Sequence, residues 1–177
     1  ALSASADGTA ILWNLDTGAA LLTLEGHEDD VGAVAFTPDG STALTGGHDE
    51  RLIQWDLETG EPLLILGADG SGHSNDINEV VVGGGGFTAL TAAEDGSVIL
   101  WSLPAAAPVQ RYIGSGAGVF SVVYTPDESG MLAGAFDGTL QLWSFETATP
   151  VRSYVGHTDR VTGISFSPVC RQFATSS

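Results

Sequence analysis

One segment of this sequence holds an imidazole, a hydroxyl and a carboxylate at short range: His27, Thr45 and Asp49, followed by the indole of Trp55. A hydroxyl, a base and an acid that orients the base make up a nucleophilic catalytic set. The spacing argues against that chemistry. Trp13, Trp55, Trp101 and Trp143 fall 42, 46 and 42 residues apart, and Asp7, Asp49, Asp95 and Asp137 each stand six residues before one of them. His27 and His73 lie 22 residues before Asp49 and Asp95, and Ser115 takes that place before Asp137. His73, Thr91, Asp95 and Trp101 therefore repeat the offsets of His27, Thr45, Asp49 and Trp55. A catalytic set is needed once, whereas a bracket that closes a repeated unit is needed in every unit. No residue is assigned a catalytic role, and the chain is read as non-enzymatic. The first unit carries Ser3, Asp7 and Trp13, and its imidazole position would precede residue 1. The fourth keeps Asp137 and Trp143 but has Ser115 and Ala133 in place of imidazole and hydroxyl. Apolar packing should hold that unit, leaving Asp137 free for another partner.

The elements that must position these residues are short strands. In the second unit, Val31–Phe36, Thr42–Thr45, Leu52–Trp55 and Pro62–Leu66 are β-rich runs. They are separated by the turn signals Thr37-Pro38-Asp39-Gly40, His48-Asp49-Glu50 and Glu58-Thr59-Gly60. The fourth unit repeats this with Val119–Tyr124, Met131–Ala133, Leu140–Trp143 and Val151–Val155. In the third, Gly83–Gly86 replaces the proline turn. The spacing of 46 has one source: Trp55 to His73 is 18 residues where the other gaps are 14, so four residues are inserted between Leu66 and His73. No segment longer than a turn has a helical period.

Composition narrows the function. The 177 residues carry 22 Asp and Glu against 5 basic residues, all Arg, for a formal charge of −17. That balance opposes binding to nucleic-acid phosphates or to an anionic membrane surface. The single cysteine, Cys170, excludes an internal disulfide and reads as a bystander thiol. The run Asp69–Asp76 resembles a calcium loop, but the twelfth position is Val80, not Glu. Gly83–Gly86 lacks the Lys and Ser/Thr of a phosphate loop. No metal and no cofactor is expected. No leader or membrane span is visible, which suggests an intracellular, cytoplasmic setting.

Gly26-His27, Gly72-His73 and Gly156-His157, the Thr-Pro turns, the Asp-Gly turns at Asp7, Asp95 and Asp137, and the strand ending in Trp together resemble the WD40 repeat family. Only Trp55-Asp56 is a literal Trp-Asp pair. The resemblance covers essentially the whole chain. It implies an all-β propeller of about four four-stranded blades, incomplete at both ends, with units near 1–26, 27–71, 72–113, 114–155 and a partial 156–177. It also implies that turn Asp, loop His, strand Ser/Thr and Trp form a hydrogen-bonded tetrad in each blade.

For function, the resemblance implies a non-catalytic scaffold that docks a protein or peptide on the face formed by the Gly-His loops and the turns before the third strands. Carried over by position, contact residues are Glu28, Ser74 and Thr158, then Asp30, Asp76 and Arg160, and then His48, Glu94 and Phe136. The acidity of this face points to a basic partner or, equally, only to a soluble surface, since Asp16, Asp39, Glu58, Asp127 and Glu128 make the opposite face acidic too; Phe136 points to an apolar anchor. His48 in its exposed turn would be incidental or would add a pH-sensitive contact. The rival is a sensor or regulatory propeller attached to an ATPase or kinase parent chain. An enzyme or sensor should show unrepeated acids or bases on the first strands, where Glu79 is the one carboxylate. Residues 1–5 and 173–177 both align with the second strand of a unit. A piece of a longer repeat array is therefore expected, with further repeats, or another copy, needed to close the ring.

Overall fold

A computed structural model describes residues 1–167 and 172–177, so Cys170 lies outside the described residues. The chain folds as antiparallel meanders of short strands, with no helix among the described residues. The first sheet holds β1 (Leu2–Ala4), β2 (Thr9–Trp13) and β3 (Ala20–Glu25). The second holds β4 (Val31–Phe36), β5 (Thr42–Gly47), β6 (Leu52–Asp56) and β7 (Pro62–Leu66). The third holds β8 (Ile77–Val82), β9 (Thr88–Ala93), β10 (Ser97–Ser102) and β11 (Ala107–Ile113), and the fourth holds β12 (Val119–Tyr124), β13 (Gly130–Ala135), β14 (Leu140–Ser144) and β15 (Pro150–Tyr154). β16 (Gly163–Phe166) and β17 (Phe173–Ser176) form a two-stranded fifth. In each four-stranded sheet the strands pair in chain order, so the sheets are blades, and their arc is not closed.

The core lies between successive blades. Leu44, Leu52 and Leu66 of the second blade meet Ile77, Ile99 and Trp101 of the third in one apolar cluster. Leu90 and Val98 of the third meet Val122, Met131 and Trp143 of the fourth in the next. Trp55 and Trp101 are each only 1% exposed, so the indole N–H must find its partner inside the protein.

Two repeated irregularities shape what the blades present. Each complete inner strand is bulged against the next strand, with the register shifting between Val31 and Ala33, Ile77 and Glu79, and Val119 and Ser121. Gly32, Asn78 and Phe120 are the extra residues, and a bulge re-aims the side chain it carries. The turns demand left-handed backbone at fixed places. The turn before the third strand places Gly8, Gly96 and Gly138 there, and Glu50 at φ 67. The turn before the fourth places Gly18 and Gly60 there, and Ala106 at φ 51 and Ala148 at φ 52.

Neighbouring inner strands are also joined by side chains. Asn78 Nδ2 donates to the Val119 carbonyl at 3.0 Å, and the Glu79 carboxylate accepts the Val122 N–H at 2.5 Å. Burial raises the Glu79 pKa above its ordinary value despite the Val122 and Ser121 hydrogen bonds, which act the other way.

Candidate functional site

The meander puts the loop entering each first strand and the turn between second and third strands at the same end of the blade. In the second blade, His27 Nδ1 lies 2.9 Å from Asp49 Oδ1, and its Nε2 lies 2.6 Å from Thr45 Oγ1. Trp55 Nε1 donates to Thr45 Oγ1 at 2.8 Å. For a neutral imidazole the proton count has one solution. Nδ1–H donates to the carboxylate, the threonine hydroxyl donates to Nε2, and the indole donates to the hydroxyl oxygen. The Asp49 carboxylate also accepts the Glu28 N–H at 3.0 Å. Burial pushes its pKa up, but the His27 and backbone hydrogen bonds outweigh burial and hold it below the ordinary value.

The third blade repeats these contacts and adds to them. His73 Nδ1 lies 3.0 Å from Asp95 Oδ2 and Nε2 2.6 Å from Thr91 Oγ1, which accepts the Trp101 N–H at 2.8 Å. Arg111 on β11 reaches across the sheet. Its guanidinium donates to Asp95 Oδ2 and Ser97 Oγ, each at 3.0 Å, and to the Gly72 carbonyl. Burial opposes ionisation of Asp95, yet the hydrogen bonds from His73 and Ser97 outweigh it and leave its carboxyl far below the usual range.

The other units are partial. Trp13 Nε1 donates to Ser3 Oγ at 2.8 Å, and Asp7 Oδ1 accepts the Thr9 N–H and hydroxyl at 3.0 and 2.6 Å. His157 Nε2 lies 2.7 Å from Thr175 Oγ1. In the fourth blade, Asp137 is not left free as the sequence suggested. Its Oδ1 accepts the Thr139 N–H at 3.0 Å and the Thr139 hydroxyl at 2.6 Å. There Trp143 meets Tyr112 edge to face at 5.7 Å, an aromatic contact in place of the polar one.

Chemically, the hydroxyl–imidazole–carboxylate sets have no outlet. Thr45 and Thr91 have no exposed surface, and each oxygen is already engaged by an indole N–H and an imidazole. A nucleophile needs a path to its substrate, and neither hydroxyl has one.

The residues placed on the docking face do lie together at the loop-and-turn end. Glu28, Ser74, Glu94, Thr158 and Arg160 are exposed, and Asp30, His48, Asp76 and Phe136 are half-buried. His48 Nδ1 sits 3.5 Å from Asp76 Oδ2 and 4.0 Å from Asp30 Oδ2, bridging two units. Arg51 pairs with Glu28 at 2.8 Å. Phe136 packs edge to face on Phe120 at 5.6 Å, and the Arg160 guanidinium lies 5.3 Å from the Phe120 ring centre. Phe120, Ser97 and Arg111 were missed by sequence reasoning. Phe120 was the visible signal, a bulky aromatic where the other units have Gly32 and Asn78. Arg111 and Ser97 act across the sheet and have no marker in the repeat.

Comparison with known proteins agrees with the repeat. A family model described as WD domain, G-beta repeat matches residues 18–56, 61–102, 106–144 and 148–177. Over 67 residues the chain is 42% identical to the small ribosomal subunit protein RACK1y of Oryza sativa subsp. japonica, covering 38% of this chain and 20% of that protein. Over 65 residues it is 40% identical to the guanine nucleotide-binding protein subunit beta of Zea mays, covering 36% of this chain and 17% of that one. Protein groucho of Drosophila melanogaster is 34% identical over 61 residues, covering 34% of this chain and 8% of its own length. The matched stretches span a fifth or less of these relatives.

Proposed function

The chain belongs to the WD40 repeat family, and from that premise we propose that it is a scaffold that docks a protein or peptide on its loop-and-turn face. The observation that carries this reading is a division of labour among polar groups. His27, Thr45, Asp49 and Trp55, with His73, Thr91, Asp95 and Trp101, spend their hydrogen bonds on one another. We read these sets, and the partial ones of Ser3, Asp7, Trp13, Asp137 and Trp143, as structural brackets. What the face offers a partner is Glu28, Asp30, Asp76 and Glu94 beside His48, Ser74, Phe136 and Thr158. Two of the similar proteins are named as subunits or subunit proteins, which supports an assembly role. A basic partner fits this face, with opposite charge steering encounter more than setting affinity.

The sensor reading needs a free acid or base on the inner strands. Their one carboxylate among the described residues, Glu79, is engaged by the Val122 N–H.

Reversing Asp30 and Glu94 together to Lys tests the face. A fluorescent oligo-arginine peptide should lose at least about tenfold in affinity, and wild-type binding should weaken steeply with salt. Unchanged binding by the double variant would remove the docking face.

A further inference from the structure

The rim of this face changes character between units. The bulge residue and the residue before the turn aspartate are Gly32 and His48 in the second blade, Asn78 and Glu94 in the third, and Phe120 and Phe136 in the fourth. Around the first two pairs the charge is negative, with His48 held between Asp30 and Asp76. In the fourth blade the rim is aromatic. The rings meet at 5.6 Å and 80°, and Arg160, from the loop that follows, lays its guanidinium 5.3 Å from the Phe120 centre and 6.0 Å from that of Phe136. Gly118 makes room for this packing, because a Cβ there would stand 3.0 Å from Phe136 Cδ2.

A guanidinium carbon over an aromatic ring leaves the in-plane donors of the group available. Those donors are five N–H groups in one plane, the geometry that grips a carboxylate with two parallel hydrogen bonds. Arg51 and Arg111 spend theirs on Glu28 and Asp95. Arg160 is exposed, and among the described residues its guanidinium takes part in no ion pair or hydrogen bond. In a chain with 22 Asp and Glu, this cation lies within 6.0 Å of two aromatic ring centres with its donors unspent.

We infer that Arg160, seated on Phe120 and Phe136, is a carboxylate-binding subsite at one end of the acidic face, and that it takes an Asp or Glu side chain of the docked peptide. The inference rests on the docking face proposed above and gives the partner a polarity. A basic stretch lies over Glu28, Asp30, Asp76 and Glu94, and an acidic residue lies at Arg160. A carboxylate suits the subsite better than a phosphate. Asp159, whose carboxylate accepts the Arg160 backbone N–H at 2.7 Å, repels a dianion more than a monoanion.

The test uses labelled peptides of four arginines joined by Gly–Ser linkers of graded length to Glu-Glu, Gln-Gln or phosphoserine, all amidated. The wild type should bind the best-spaced Glu-Glu peptide about three- to tenfold tighter than its Gln-Gln counterpart. Arg160→Gln and Phe120→Ala should each erase that preference, so that each variant binds the Glu-Glu and Gln-Gln peptides alike. Equal affinity for Glu-Glu and Gln-Gln, or a preference that survives Arg160→Gln, overturns the subsite. A phosphoserine peptide that binds tighter than the glutamate one overturns the carboxylate assignment. Failure of every peptide overturns the basic-partner reading instead. The subsite is then judged separately, by titrating acetyl-Glu-Glu-amide and following the Arg160 Nε–H resonance. It should move in the wild type, and a resonance that stays fixed sinks the inference.

Discussion

At the residue scale, Asp95 and Asp137 occupy the same place in two blades and do different work. Asp95 accepts from His73, Ser97, Arg111 and the Ser74 backbone, and its side chain is 6% exposed. Asp137 bonds mainly to Thr139 in its own turn, with Ser115 of the entering loop as a further partner. Asp95→Ala would strand buried donors and should cost at least about 2 kcal/mol, whereas Asp137→Ala should cost under about 1 kcal/mol. Urea unfolding of the two variants checks this, and equal costs would contradict it. Glu79 gives a pH test of opposite sign. Its folded pKa is raised, so its buried charge destabilises the fold at neutral pH and does not below its unfolded value. Glu79→Gln should therefore raise the melting temperature at pH 7, with the gain gone below about pH 4. Asp49 and Asp95 have depressed folded pKa values. Their contribution is complete above about pH 4 and is lost as the pH falls through those values, so acid should unfold the chain through them. A gain from Glu79→Gln that persists in acid would contradict the burial argument. The bracket residues were legible because they recur. Arg111 was not, because it reaches Asp95 from 16 residues away and the Gly72 carbonyl from 39, with no counterpart in the other units.

At the element scale, the turns form a template that the sequence obeys unevenly. Where sibling blades place glycine in the left-handed region, Glu50 and Ala106 adopt it at φ 67 and 51. An L side chain there costs about 1–2 kcal/mol, partly offset by the greater freedom glycine has in the unfolded chain. Both residues are exposed, so Glu50→Gly and Ala106→Gly should each stabilise by about 0.5–1 kcal/mol and add when combined. Urea midpoints measure this, and a loss of stability would contradict the template. Blade burial sets a second expectation. β9 and β10 are buried almost throughout, whereas β16 and β17 are half-covered, so amide hydrogen exchange should be slowest in the first pair and fastest in the second. Strand positions were largely readable from turn chemistry: β4 and β7 begin and end where the sequence placed them. The fourth strand of the fourth blade was expected at Val151–Val155 but runs Pro150–Tyr154. A bulge there pairs Trp143 with Pro150, as it pairs Trp55 with Pro62 and Trp101 with Pro108. Such a register shift follows from cross-strand geometry, which the local sequence pattern does not carry.

At the scale of the whole molecule, the proposed function rests on how the repeat faces outward. The repeated residues bond to one another in the second and third blades, and the residues that vary between units line one rim, running from Glu28 and Asp30 through His48, Asp76 and Glu94 to Phe136 and Arg160. The acidity of that rim was readable from the sequence, because each position follows from the repeat offsets. The aromatic seat of Arg160 was not, because it joins a bulge residue, a turn and the next unit's loop. The most direct measurement is a hydrogen-exchange footprint of the protein with a bound basic peptide. The account predicts slowed exchange in residues 27–31, 47–50, 73–77 and 93–97, with the turns at 37–41 and 57–61 on the opposite end unchanged. Protection confined to those opposite turns, or to the inner strands alone, would contradict it.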